Sequence, residues 1–92
     1  MARLSEEEIT RGLGSLEGWR REGDTIEKDF EQGDFQGSVD FVNRLAPVAD
    51  EMNHHPDLSV TWSTVKVSIT THSEGGLTAN DFELARKLGS LG

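Results

Sequence analysis

Apolar residues recur along this chain with two different periods, and the period changes several times. Ile9, Leu13 and Leu16 are spaced as one face of a helix. Ser5-Glu6-Glu7-Glu8 ahead of them has the spacing of a capping box, with Ser5 as N-cap and Glu8 reaching back. Gly12 and Gly14 weaken this helix, and Gly18 is placed at its end. Trp19 follows directly and reads as a core anchor. Glu22-Gly23-Asp24 forms a turn. From Thr25 to Glu31 the period falls to two, with Ile26 and Phe30 on one side and Thr25, Glu27 and Asp29 on the other. This predicts a half-buried antiparallel strand. Gln32-Gly33-Asp34 is the next turn, and Phe35 is assigned to a short second strand at hairpin distance.

The longest periodic stretch comes next. Val39, Phe41, Val42, Leu45, Ala46, Val48, Ala49 and Met52 fall on one half of a helical wheel, against Asp40, Asn43, Arg44, Asp50 and Glu51. Ser38 is the expected cap and Pro56 the expected stop. Pro47 lies inside, where a proline costs about 3 kcal/mol. The apolar stripe continues in phase beyond it, so one helix bent over residues 43–47 is expected rather than two. Leu58–Trp62 and Val65–Thr71 are rich in β-branched residues and predict a strand pair turning at Ser63-Thr64, with Trp62 in the core. Val65, Val67 and Ile69 share one face; Lys66, Ser68, Thr70 and, by parity, His72 share the other. Thr78 caps a last helix with Asp81 at the reciprocal position, and Leu84, Ala85, Leu88 and Leu91 form its apolar face. The order α-β-β-α-β-β-α predicts an α+β fold, a four-stranded antiparallel sheet with helices packed on one face. Its other face is left solvated or used in assembly.

Composition adds limits. Ninety-two residues imply a single domain over residues 1–92. A chain of this size buries only about 60–65% of its unfolded surface, so self-association into a homodimer or homotetramer is expected. The absence of cysteine excludes disulfide and thiolate chemistry and fits a cytoplasmic location. No apolar run approaches the roughly 20 residues of a membrane span, and the early Glu6-Glu7-Glu8 does not suit a signal peptide. A formal net charge of −8 repels phosphate backbones, so no nucleic-acid partner is expected.

The candidate chemistry lies in three histidines, all where a periodic segment gives way to loop: His54 and His55 in Asp50-Glu-Met-Asn-His-His-Pro-Asp57, and His72 beyond the last strand. Imidazole titrates near neutral pH, so convergent histidines suggest proton transfer or metal binding. Taken singly, each residue has a plainer explanation. His54 and His55 would suit a helix C-terminus that favours a cation. Asp81 would be a capping residue, and His72 a solvated strand end.

The joint spacing says more. Asp50-x3-His54-His55-Pro56, five residues, Trp62, nine residues, His72, eight residues, Asp81 resembles the pterin-4a-carbinolamine dehydratase family. Thr71-His72, Gly75-Gly76-Leu77-Thr78 and Trp19 extend the resemblance. It implies an enzyme that removes water from a 4a-hydroxytetrahydropterin to give the quinonoid dihydropterin, which a reductase can recycle. It names His54, His55 and His72 as the catalytic set, and Asp50, Asn53, Pro56, Thr70, Thr71, Ser73 and Asp81 as the pterin contacts, with no cofactor or metal. Backbone groups around Thr71–Ser73 are the expected partners of the pterin amide edge. Asn53 and Leu58 stand where some relatives carry an acid and an aromatic, and Asn80 replaces a frequent basic residue.

The chemistry suits these residues, because the reaction needs one proton taken from N5 and one delivered to the departing hydroxyl. Asp50, one turn before His54, is expected to orient it. His54 at a helix end is expected to be the acid, His72 in a more solvated loop the base, and His55 the residue that positions the ring. Two other functions compete. One is a metal-binding protein using the histidines and a carboxylate. The other is a non-catalytic binding or dimerisation module presenting the amphipathic helix; some animal members of the family act as dimerisation cofactors of a transcription factor.

Overall fold

The computed structural model describes residues 2–92. Its elements are α1 (Glu6–Gly14), β1 (Arg20–Glu22), β2 (Thr25–Glu31), α2 (Phe35–Met52), β3 (Asp57–Val60), β4 (Thr64–Ile69) and α3 (Ala79–Gly89), with a short 3₁₀ turn at His72–Glu74. The strands form one antiparallel sheet in the order β1-β2-β4-β3. The α+β architecture expected from the sequence is the one observed.

Register explains why the helices lie on one face. Ile26 pairs with Ile69, Phe30 with Val65, and Leu58 with Val67, so the apolar side chains of three strands point the same way. Phe41, Leu45 and Ala49 of α2 and Leu84, Ala85 and Leu88 of α3 complete the core above them, all buried. Trp19 meets Phe30 edge-on at 6.0 Å, and Phe30 stacks on Phe41 at 4.6 Å, so the tryptophan is the core anchor expected. The opposite face carries Arg20 against Glu27 and Asp29 against Lys66. Its ion pairs, Arg20–Glu27 at 3.3 Å and Lys66–Glu27 at 3.5 Å, are partly exposed and worth at most about 1 kcal/mol each.

Several boundaries differ from those predicted. Phe35 is not in a strand; it is the first residue of α2 and lies exposed. The reason is Asp34, whose Oδ1 accepts the Gly37 N–H at 2.7 Å and starts the helix there. A side chain at Gly37 would run into the carbonyl oxygen of Gln32, so this tight cap requires glycine. The second strand of the first hairpin is β1, which precedes β2 rather than following it. Ser38 is therefore not a cap. It is fully buried within α2, and its hydroxyl has no hydrogen-bond partner among the described residues.

The α2 helix continues through Pro47 as a single element, as its unbroken apolar stripe predicts. The first helix stops at Gly14, with Ser15 as C-cap, before Gly18 is reached. Trp62 is not in the core; it is 70% exposed. The β3 strand ends at Val60, and Thr61 uses both its N–H and its hydroxyl on the Thr64 carbonyl, each at 2.9 Å. The chain turns there and leaves Trp62 at the tip. No helix among the described residues is long and apolar enough to cross a membrane.

The start of α1 is tied to β1. Arg21 grips Glu6 with two nitrogens, at 2.5 and 3.0 Å, and the hydrogen bond and then the charge of Arg21 hold the Glu6 carboxyl below the usual carboxylate range. A lowered carboxylate pKa adds stability above its unfolded value, and that contribution fades as pH falls through the folded value.

Candidate active site

The site begins at the end of α2, where Asn53 adopts the left-handed conformation, φ 51° and ψ 41°. Its N–H bonds the Asp50 carbonyl and the His54 N–H bonds that of Ala49, both at 3.1 Å. This is the Schellman pair that closes a helix, so Asn53 and not Pro56 ends α2. Asparagine tolerates a positive φ better than most residues. The reversal also changes which carboxylate meets which imidazole. Asp50 does not reach His54. The chain has left helical spacing, and Asp50 Oδ1 lies 2.8 Å from His55 Nε2, an exposed pair at the rim.

His54 instead turns inward and meets α3. Its Nε2 is 2.6 Å from Asp81 Oδ1, with the imidazole 13% exposed and the carboxylate fully buried. The other oxygen, Asp81 Oδ2, accepts from Thr78 N at 2.8 Å and from the Thr71 hydroxyl at 2.9 Å. A threonine hydroxyl has one proton, so the 2.9 Å contact between the Thr71 and Thr78 hydroxyls is donated by Thr78. The buried carboxylate thus has a donor on each oxygen, which offsets the cost of burying its charge. As Asp81 occupies Nε2, His54 Nδ1 is the ring nitrogen left for a ligand.

The same Thr71 fixes the loop that carries His72. Thr71 and Gly76 form an isolated antiparallel bridge, with N–H to O bonds of 3.3 and 3.4 Å. Between them His72, Ser73 and Glu74 make a 3₁₀ turn, and Gly75 closes it at φ 71°. Strand parity therefore stops at Ile69 and does not place His72, which is exposed at the turn. Thr70 is held differently, its hydroxyl donating to the Asp24 carbonyl. Ser73 is exposed in the turn, and Pro56 is half-buried just before β3. Thr78 is the member of this network that is absent from the expected pterin contacts. Its spacing to Asp81 was visible; its contact with Thr71 was not. Among the described residues, no three His, Cys, Asp or Glu side chains gather as metal ligands.

Comparison with known proteins adds an independent line. The family model described as pterin 4 alpha carbinolamine dehydratase matches residues 2–91. A protein of Sulfolobus acidocaldarius is 48% identical over 89 residues, 97% of this chain and 98% of its own length. One of Thermosynechococcus vestitus is 46% identical over 89 residues, 97% of this chain and 94% of its own. Both provisionally carry the name pterin-4-alpha-carbinolamine dehydratase. The crystal structure of a transcriptional coactivator/pterin dehydratase from Brucella melitensis superposes with a TM-score of 0.92 at 33% identity, covering 97% of each chain. A pterin dehydratase-like protein, identified as a RuBisCO assembly factor in the alpha-carboxysome, shares the fold with a TM-score of 0.68 at 21% identity, over 80% of this chain and 88% of that one.

Proposed function

Because this chain belongs to the pterin 4 alpha carbinolamine dehydratase family, we propose that it removes water from a 4a-hydroxytetrahydropterin by histidine acid–base catalysis. The observation that carries this reading is the His54–Asp81 pair, built on the same carboxylate that anchors Thr71 beside His72. It joins the two halves of the candidate site across 27 positions of sequence.

In this mechanism the protonated His54 ring, steadied through Nε2 by Asp81, delivers the Nδ1 proton to the 4a-hydroxyl. Neutral His72 takes the proton from N5. The N5–H electron pair becomes the N5=C4a double bond, the C4a–O bond breaks, and water leaves. His55, held at the rim by Asp50, positions the ring. The backbone of Thr71 is engaged with Gly76 and the His72 carbonyl with Gly75, so the groups left for the pterin amide edge are the His72 N–H and the backbone of Ser73. Acid–base catalysis of this kind supplies roughly 10²–10⁴-fold. Stopped-flow measurement with the carbinolamine generated in situ tests the reading. The protein accelerates water loss and a triple histidine-to-alanine variant does not; no acceleration over buffer at micromolar wild-type protein would overturn it.

A second reading is a protein-binding role on the same fold. Its support is the coactivator in the name of the Brucella relative, together with Phe35 at 59% and Trp62 at 70% exposure. A binding role predicts that the triple histidine variant restores the phenotype of a deletion strain as well as wild type does. An enzymatic role predicts that it does not.

A further inference from the structure

One element packed beside the candidate site remains without a role, the extended segment ahead of α1. The Leu4 N–H donates to the Leu77 carbonyl at 2.8 Å, two positions beyond Gly75, which closes the His72 turn. The stem of Arg3 lies over Gly76: a Cβ there would meet Arg3 Cδ at 3.0 Å and Asp24 Oδ1 at 3.8 Å. The turn is anchored on one side by Thr71, which is bonded to Asp81, and the Leu4 bond lies on the other. Its bridge bonds, at 3.3 and 3.4 Å, are longer than the usual 2.9–3.0 Å. A crevice of about 490 Å³ opens between the segment, Arg21, Asp24 and Leu77, while Leu4 packs against the core. The segment is itself secured, because Ser5 caps α1 and Glu6 is gripped by Arg21.

We propose that Arg3 and Leu4 form a strap that fixes the position of His72, with the Leu4 N–H to Leu77 bond as its attachment and the small Gly76 as its seat. Arg3 and Leu4 are positioning residues. Neither belongs to the histidine network, and each acts through the backbone of residues 71–77. The catalytic consequence rests on the dehydratase reading; the mechanical one does not.

The experiment is amide hydrogen exchange by NMR, combined with steady-state kinetics, on Leu4→Pro, Leu4→Ala and Arg3→Ala. Leu4→Pro removes the donor and keeps an apolar residue. Exchange at Glu74, Gly75 and Gly76 is expected to quicken roughly two- to tenfold, the range set by one lost hydrogen bond, while the amides of α2 are unchanged. The kcat falls by a similar factor and KM holds. Leu4→Ala keeps the donor and is expected to exchange as wild type in the turn. Arg3→Ala, an exposed truncation, quickens exchange at Gly76 and decides the matter should Leu4→Pro fail to fold. Unchanged exchange in the turn of both Leu4→Pro and Arg3→Ala would overturn the strap, as would equal loosening by Leu4→Ala. A wild-type protein without dehydratase activity would remove the function assigned to His72, while the exchange rates would still judge the strap.

Discussion

Asp81 carries two loads: it caps α3 through Thr78 N, and it holds His54. Asp81→Asn keeps the shape but puts an amide where two oxygens accepted. One donor in the Thr71–Thr78–His54 group then faces another donor. Stability is expected to fall by about 1–3 kcal/mol, the cost of a buried polar group left unsatisfied, measured as a lower urea midpoint. Activity is expected to fall about 10²-fold, since the ring loses its orientation as well as its anion. The histidines divide by pH. With His54 as acid, His54→Ala removes the alkaline limb of the kcat/KM profile; with His72 as base, His72→Ala removes the acid limb. The reverse pattern exchanges their roles, and near-native rates in all three single variants would eliminate histidine catalysis. The types and spacings of these residues were legible in the chain. Which carboxylate served which imidazole was not, because a local rule favoured Asp50 and the true partner of His54 lies 27 positions away.

At the scale of elements, the C-terminus of α2 decides where the two adjacent imidazoles go. Asn53 sends His54 inward and leaves His55 at the rim. Asn53→Ala places a Cβ residue without a local polar side chain at φ 51° and is expected to cost about 1 kcal/mol, a Tm loss of roughly 4–8 °C for a domain this small. Asn53→Gly keeps the reversal and removes the side chain. If Asn53 serves only to turn the chain, that variant retains its Tm and its KM; a raised KM with unchanged Tm would show that the side chain touches the pterin. Helix existence was legible from period and caps, α2 even through Pro47. Its ends were not. Ser38 and Pro56 are plausible punctuation, but Asp34 and Asn53 take those roles because their side chain and backbone complete hydrogen bonds that a one-dimensional pattern does not display.

For the whole molecule, the sheet buries one face under three helices and leaves the other polar, with a core suited to a small chain. Limited burial gives such chains a thin margin, and association adds to it. A homodimer or homotetramer is expected, and light scattering at ~50 μM protein that finds only monomer would refute it, since self-association is where the missing burial would come from.

The chain by itself determined the periods, and through them the order of elements, the inward faces of β2, β4, α2 and α3, and the family spacing from Asp50 to Asp81. These depend on neighbours within a turn or two, or on residue identity alone, and both are written along the sequence. Tertiary structure decided what depends on separation in space. It drew Trp62 out of the core at a three-residue turn, gave β2 its partner from the N-terminal side, and delivered Asp81 to His54 from α3 and Thr71 to Asp81 from beyond β4. Hydrogen bonds across the fold are fixed only when the packed helices and sheet bring their donors and acceptors within 3 Å, and no local spacing encodes that approach.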